Sequence, residues 1–123
     1  MRKGEIYLAQ FPFGDVPGMK LRPVLLLTES IGSVPEVLVA YISSVLPAQP
    51  LPSDLILDPF VPEFQGTHLR VRSALHLHKL ATIHCSSLVR HLGALEPAQR
   101  VVVGGKLRVL LGLTTEEVVE SRS

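Results

Sequence analysis

The chain has 123 residues, 46% hydrophobic and 19% charged, which suits one domain over residues 1–123 and excludes intrinsic disorder. No apolar run approaches the roughly 20 residues of a membrane span. Met1-Arg2-Lys3-Gly4-Glu5 opens an alternating segment rather than a secretory signal, and the single cysteine, Cys85, cannot form an internal disulfide, so a soluble cytoplasmic protein is expected.

The net charge of +1 is unevenly spread. Residues 1–63 carry a balance of −3, residues 64–108 one of +6, and the remaining tail −2. All five histidines also lie in the basic block. Two readings stand at this level: a cationic surface for a polyanion, or a surface neutralised after folding by acidic residues of the first half.

In chain order, Gly4 to Phe11 alternates like a strand, with Ile6, Leu8 and Gln10 on one face and Tyr7, Ala9 and Phe11 on the other. Pro12 ends regular pairing, and the Gly-Asp and Pro-Gly pairs of residues 13–20 mark a loop. Val24 to Thr28 reads as a strand buried on both faces. Glu36 to Ser43 is a third strand. Five prolines between Pro47 and Pro62 leave only Leu55-Ile56-Leu57 as a short edge strand. Ser73 to Ile83 and Ser87 to Leu92 complete the strands. Glu96-Pro97 starts a helix whose apolar positions are Val101, Val102, Leu107, Leu110 and Leu111. Gly104-Gly105 weakens it by about 1 kcal/mol each and offers close packing on the sheet. Thr114 to Glu120 reads as a short acidic terminal helix. Many short strands with one good helix predict a small curled antiparallel sheet, a β-barrel with helical additions.

Three groups of residues offer chemistry. Period-two spacing puts His76, His78 and His84 on one strand face, where the pair with His84 or Cys85 could bind zinc. The same imidazoles could serve as an acid–base pair on a phosphodiester, or could simply be solvated. Cys85 has no nucleophile motif around it, and no Walker, Gly-x-Gly-x-x-Gly or Gly-x-Ser-x-Gly element is present. Arg22, between a loop and a buried strand, could hold a phosphate with its rigid fork or anchor the loop to backbone carbonyls.

Gly4-Glu5-Ile6-Tyr7, Phe11-Pro12-Phe13, Gly18 to Leu27 with its Lys-x-Arg-Pro, and Ile42-Ser43-Ser44 follow in order. Ser73, Lys79 to Ile83, Leu92 to Leu95 and Leu110 to Leu113 continue the pattern. Together they resemble the MazF/PemK toxins of bacterial toxin–antitoxin pairs, over residues 4–113. That resemblance implies an SH3-like barrel of the CcdB-like kind with a C-terminal helix. It further implies a homodimer, a cognate antitoxin, no cofactor, and metal-independent cleavage of single-stranded RNA. In such cleavage the 2′-hydroxyl attacks phosphorus, leaving a 2′,3′-cyclic phosphate and a 5′-hydroxyl. By the resemblance Arg22 and Ser43 are catalytic; beside them Lys20 and His78 or Lys79 are expected to hold the RNA backbone or assist proton transfer, Ser44 to contact substrate, and Phe11 and Phe13 to stack bases or lie in the core. Ser43 replaces a threonine frequent in the family, and His78-Lys79-Leu80-Ala81 stands where some members have Asp-Gln-x-Arg. Other readings are a gyrase-poisoning toxin on the same barrel and an inactive module that binds antitoxin or nucleic acid.

Overall fold

The computed structural model describes residues 1–11 and 20–113, Phe11 by its backbone only. Its strands are β1 (Glu5–Phe11), β2 (Lys20–Leu26), β3 (Glu36–Ser43), β4 (Asp54–Leu57), β5 (Ser73–His84) and β6 (Leu88–Ala94). They form one antiparallel sheet in the order β4-β5-β3-β2-β1-β6, and the helix α1 (Pro97–Leu110) follows. The expected strands are all present. The Thr114 to Glu120 helix and the loop of residues 12–19 fall outside the described residues.

The sheet curls without closing: among the described residues its edge strands β4 and β6 do not pair. A 3-10 turn, Pro62–Thr67, fills the gap and packs on β6. His68 ends that turn at φ 54° and donates its Nδ1–H to Leu92 O at 2.6 Å. The approach requires Gly93, since a Cβ there would lie 2.1 Å from Gly66 O.

Both faces of the sheet bury apolar side chains. One cluster joins Ile6, Leu25, Ala40, Ile42, Leu57, Leu75 and Leu77 to Leu95 and to Val103 of α1. The other joins Ala9, Val24, Leu26, Val37, Val39 and Ile83. Val24, Leu25 and Leu26 are therefore all buried in succession, as two-sided coverage demands.

β5 serves both clusters because its register jumps. Ala40 pairs with Leu80, but the next residue, Tyr41, pairs with His76. The three intervening residues, Leu77 to Lys79, make a bulge that inverts the side-chain alternation. Odd positions face the second cluster at Ile83 and the first at Leu77 and Leu75. This corrects the period-two expectation: His84 pairs with Glu36, on the opposite face from His76.

The helix also differs from expectation. Val103 is its buried residue, with Leu107 packed beside it, while Val101, Val102, Leu110 and Leu111 are exposed. A Cβ at Gly104 or Gly105 would meet nothing within 4 Å, so the glycine pair mediates no close packing. Helical spacing alone does not choose which apolar stripe faces the sheet.

Candidate active site

The cleft begins with a proline. Leu27 donates its N–H to Leu38 O, so odd residues of β2 turn their backbone polar groups toward β3. Counting along the register puts Pro23 opposite Ile42, where a donor is needed and proline has none. The β2–β3 ladder stops at Val24 and Tyr41, although both strands run on. Beyond that point Arg22 stays paired with Ala9 of β1 and Ser43 with Ala74 of β5, and both line the opening where β2 and β3 part.

That opening is a cleft of about 940 Å³. Arg22, Arg70, Lys79 and Arg90 line it, and among the described lining residues there is no carboxylate. None of these four makes an ion pair among the described residues; Asp58 pairs with Arg72 instead, at 3.6 Å. The basic block is thus not neutralised at this point by the acidic first half. Cations gathered over low-dielectric walls give a positive potential suited to phosphate.

Arg22 spends little of its hydrogen-bonding capacity on the described residues. Its Nη1 donates to the carbonyl of its neighbour Leu21 at 3.3 Å, which is weak anchoring for a group with five donors. Ser43 ends β3, and its Oγ accepts the Val45 N–H at 3.1 Å. This turn fixes the hydroxyl oxygen and leaves its O–H to donate into the cleft.

A hydrogen-bonded chain stands beside them. Asp54, at the start of β4, pairs in register with His76. Its Oδ1 accepts the His76 Nδ1–H at 2.6 Å and its Oδ2 accepts the Leu51 N–H at 2.8 Å. Burial works to raise the Asp54 pKa, but the Leu51 and His76 donors outweigh it and hold the carboxyl below its ordinary value. His78 meets Ser53 Oγ through Nδ1 at 2.8 Å and sits edge-on to His76, ring centres 5.5 Å apart. Asp54, His76 and His78 bring donor atoms within 4.8 Å of one another. Their facing atoms are already engaged with each other, Leu51 and Ser53, so the group is read as a hydrogen-bond network. His84 and Cys85 do not join it: His84 Nδ1 accepts the Ser86 N–H and caps a 3-10 turn, Cys85–Ser87.

Of the residues expected from the sequence, Arg22, Ser43, Ser44 and Lys79 line the cleft. Lys20 and His78 lie outside its lining. The side chain of Phe11 and all of Phe13 fall outside the described residues. The lining residues that sequence reasoning missed include Tyr41, His68, Arg70 and Arg90, while His76, expected as a possible zinc ligand or acid–base group, also lines the cleft. Half-buried Tyr41 has its phenol pKa raised by burial. Only the charge block pointed toward Arg70 and Arg90; the Asp54–His76 pair, separated by 22 positions, had no local signal.

Fold and cleft together define a small mainly β protein with a C-terminal helix and a cationic recess where two strands part. The chain belongs to the family of PemK-like, MazF-like toxins of type II toxin–antitoxin systems, whose profile matches residues 2–111. Solved structures share its fold. An endoribonuclease in complex with its cognate antitoxin, from a mycobacterial species, superposes with a TM-score of 0.67 at 16% identity, covering 93% of this chain and 97% of that one. A second mycobacterial endoribonuclease gives a TM-score of 0.66 at 15% identity, with 91% of each chain covered. The Mycobacterium tuberculosis toxin MazF-mt6 gives 0.65 at 23% identity over 85% of this chain and 92% of that one. No curated protein sequence matches the chain.

Proposed function

We propose that this chain is the toxin of a type II toxin–antitoxin pair, acting in the cytoplasm as a metal-independent endoribonuclease on single-stranded RNA. The observation that carries the reading is that Arg22 and Ser43 line one cleft together with further cations and with no carboxylate in the described lining. Family membership and the fold shared with endoribonucleases support it.

The reaction is a transesterification. The 2′-oxygen forms a bond to phosphorus, the bond to the 5′-oxygen breaks, and negative charge grows on the nonbridging oxygens. Arg22 stabilises that charge with a planar, permanently charged fork. Ser43 donates a hydrogen bond to the same phosphate. Ser44 and Lys79 hold the neighbouring backbone, with Lys20 and His78 at the margin and Phe11 and Phe13 stacking bases. The protein works as a homodimer. A cognate antitoxin with an acidic, partly apolar tail would cover the cleft by neutralising its cations.

Purified protein incubated with mixed-sequence single-stranded RNA in excess chelator should yield cyclic phosphate and 5′-hydroxyl ends, read by mass spectrometry. Arg22→Ala should slow cleavage at least about a hundredfold, with Ser43→Ala also impaired and both variants folded, since Arg22 is exposed and Ser43 only half-buried. RNA left intact by folded wild-type protein would sink the proposal in favour of gyrase poisoning or an inactive binding module.

A further inference from the structure

We propose that His76, held by Asp54, is the general base of this cleft. The inference rests on the ribonuclease reading and adds to Arg22 and Ser43 a group able to move a proton. Arg22 is poorly suited to that step, because guanidinium stays charged at any working pH.

The geometry assigns the role. His76 Nδ1 lies 2.6 Å from an oxygen of Asp54, a buried carboxylate that can only accept, so Nδ1 carries the hydrogen. Neutral imidazole then bears its lone pair on Nε2. Nε2 has no hydrogen-bond partner among the described residues, although the side chain is only 11% exposed. His76 lines the same cleft as Arg22 and Ser43. A fixed tautomer, a buried carboxylate on one ring nitrogen and a second nitrogen without a described partner suit a residue of the cleft lining to act as a base.

Around His76 stand Asp54 from β4, Tyr41 from β3 and His78 from its own strand. The cations lining the same cleft are Arg22, Arg70, Lys79 and Arg90. His68 also lines the cleft, its Nδ1 proton committed to Leu92 O. Among the histidines of this network, only His76 joins a carboxylate contact under 3 Å to a place in the cleft.

In the step, Nε2 takes the proton of the 2′-hydroxyl as the 2′-oxygen bonds to phosphorus. The phosphorus bond to the 5′-oxygen breaks, and that oxygen takes a proton from water. The resulting hydroxide removes the proton from the imidazolium, so His76 returns neutral and the proton count balances. Asp54 is a positioning residue: it orients the ring and offsets the imidazolium charge.

The test compares wild-type protein, Arg22→Ala, His76→Gln and Asp54→Asn on single-stranded RNA in excess chelator, as kcat and KM across pH. Glutamine retains an N–H for Asp54 and so preserves the buried pair. Circular dichroism and affinity for a non-cleavable 2′-deoxy strand report folding and binding separately from chemistry. His76→Gln should lose about a hundredfold or more in kcat, bind the 2′-deoxy strand as wild type does, and lack the acid limb of the pH–rate profile. Asp54→Asn should lower kcat with KM unchanged. Free imidazole should restore part of the activity of His76→Ala. If wild type cleaves and Arg22→Ala does not, yet His76→Gln keeps the wild-type rate and acid limb, the proposal is overturned and the ribonuclease reading stands. If wild type leaves RNA intact, both fall.

Discussion

Asp54 has a side chain only 2% exposed and carries a charge into that burial. Its hydrogen bonds to Leu51 and His76 favour the ionised form enough to hold the carboxyl below 3.8, its ordinary value. The sign of its stability contribution follows. A carboxyl whose pKa is lower folded than unfolded contributes stability that is fully present above the unfolded value, and that contribution is lost as pH falls through the folded value. The urea midpoint of wild type should therefore drop as pH falls below 3.8. Asp54→Asn should be less stable at neutral pH by about 1–3 kcal/mol and lack this part of the acid dependence. Glu5 is lowered too, so the difference between the two proteins isolates Asp54. Parallel acid profiles would contradict the assignment. At this scale Arg22 was legible because Arg-Pro before an apolar run is a local pattern. His76 was legible as one of three histidines at strand spacing that could serve acid–base chemistry, but nothing nearby in sequence marks Asp54 as its partner.

Besides the register shifts between β1 and β6, two departures from regular pairing shape the site. Pro23 withholds a ladder donor and opens β2 from β3. The β5 bulge turns His76 onto the face of Tyr41 and Ser43 and sends His84 to the other. Proline can be read from the chain, and its effect on pairing follows once the register is known. The bulge cannot, because Ser73 to His84 alternates acceptably in either register. Glycines separate these kinds of information well. Gly93 is forced by the backbone of Gly66 and Thr67, so Gly93→Ala should destabilise by about 1–3 kcal/mol or more. Gly104→Ala fills open space on α1 and should stabilise by about 1 kcal/mol. Denaturant midpoints of the two variants should move in opposite directions; a destabilised Gly104→Ala would mean the helix packs differently. The pair had suggested close helix packing, a reading that spacing alone could not test.

For the whole molecule, the decisive property is where the folded chain leaves its charges. Four cations converge on one cleft from β2, the segment before β5, β5 itself and β6. Binding of a non-cleavable single strand should weaken with salt by about 0.7 log units per decade for each phosphate contact. Four contacts set a slope near about −3, and Arg70→Ala or Arg90→Ala should each reduce it by about 0.7. Equal slopes in wild type and both variants would place the nucleic acid elsewhere. The basic block of residues 64–108 foreshadowed such a surface, but its neutralisation by acidic residues was equally consistent with the chain. Asp58 does pair with Arg72, while the cleft cations find no such partner among the described residues.

Local physics determined most of the architecture from sequence: strand positions through apolar alternation, and the helix start through Glu96-Pro97. Each of these signals acts over a few residues. The tertiary structure decided the inverted face of β5, the pairing of Asp54 with His76, the helix stripe that meets the sheet, and the convergence of Arg70 and Arg90. These depend on register and on contacts between distant segments, whose energies appear only when the sheet assembles.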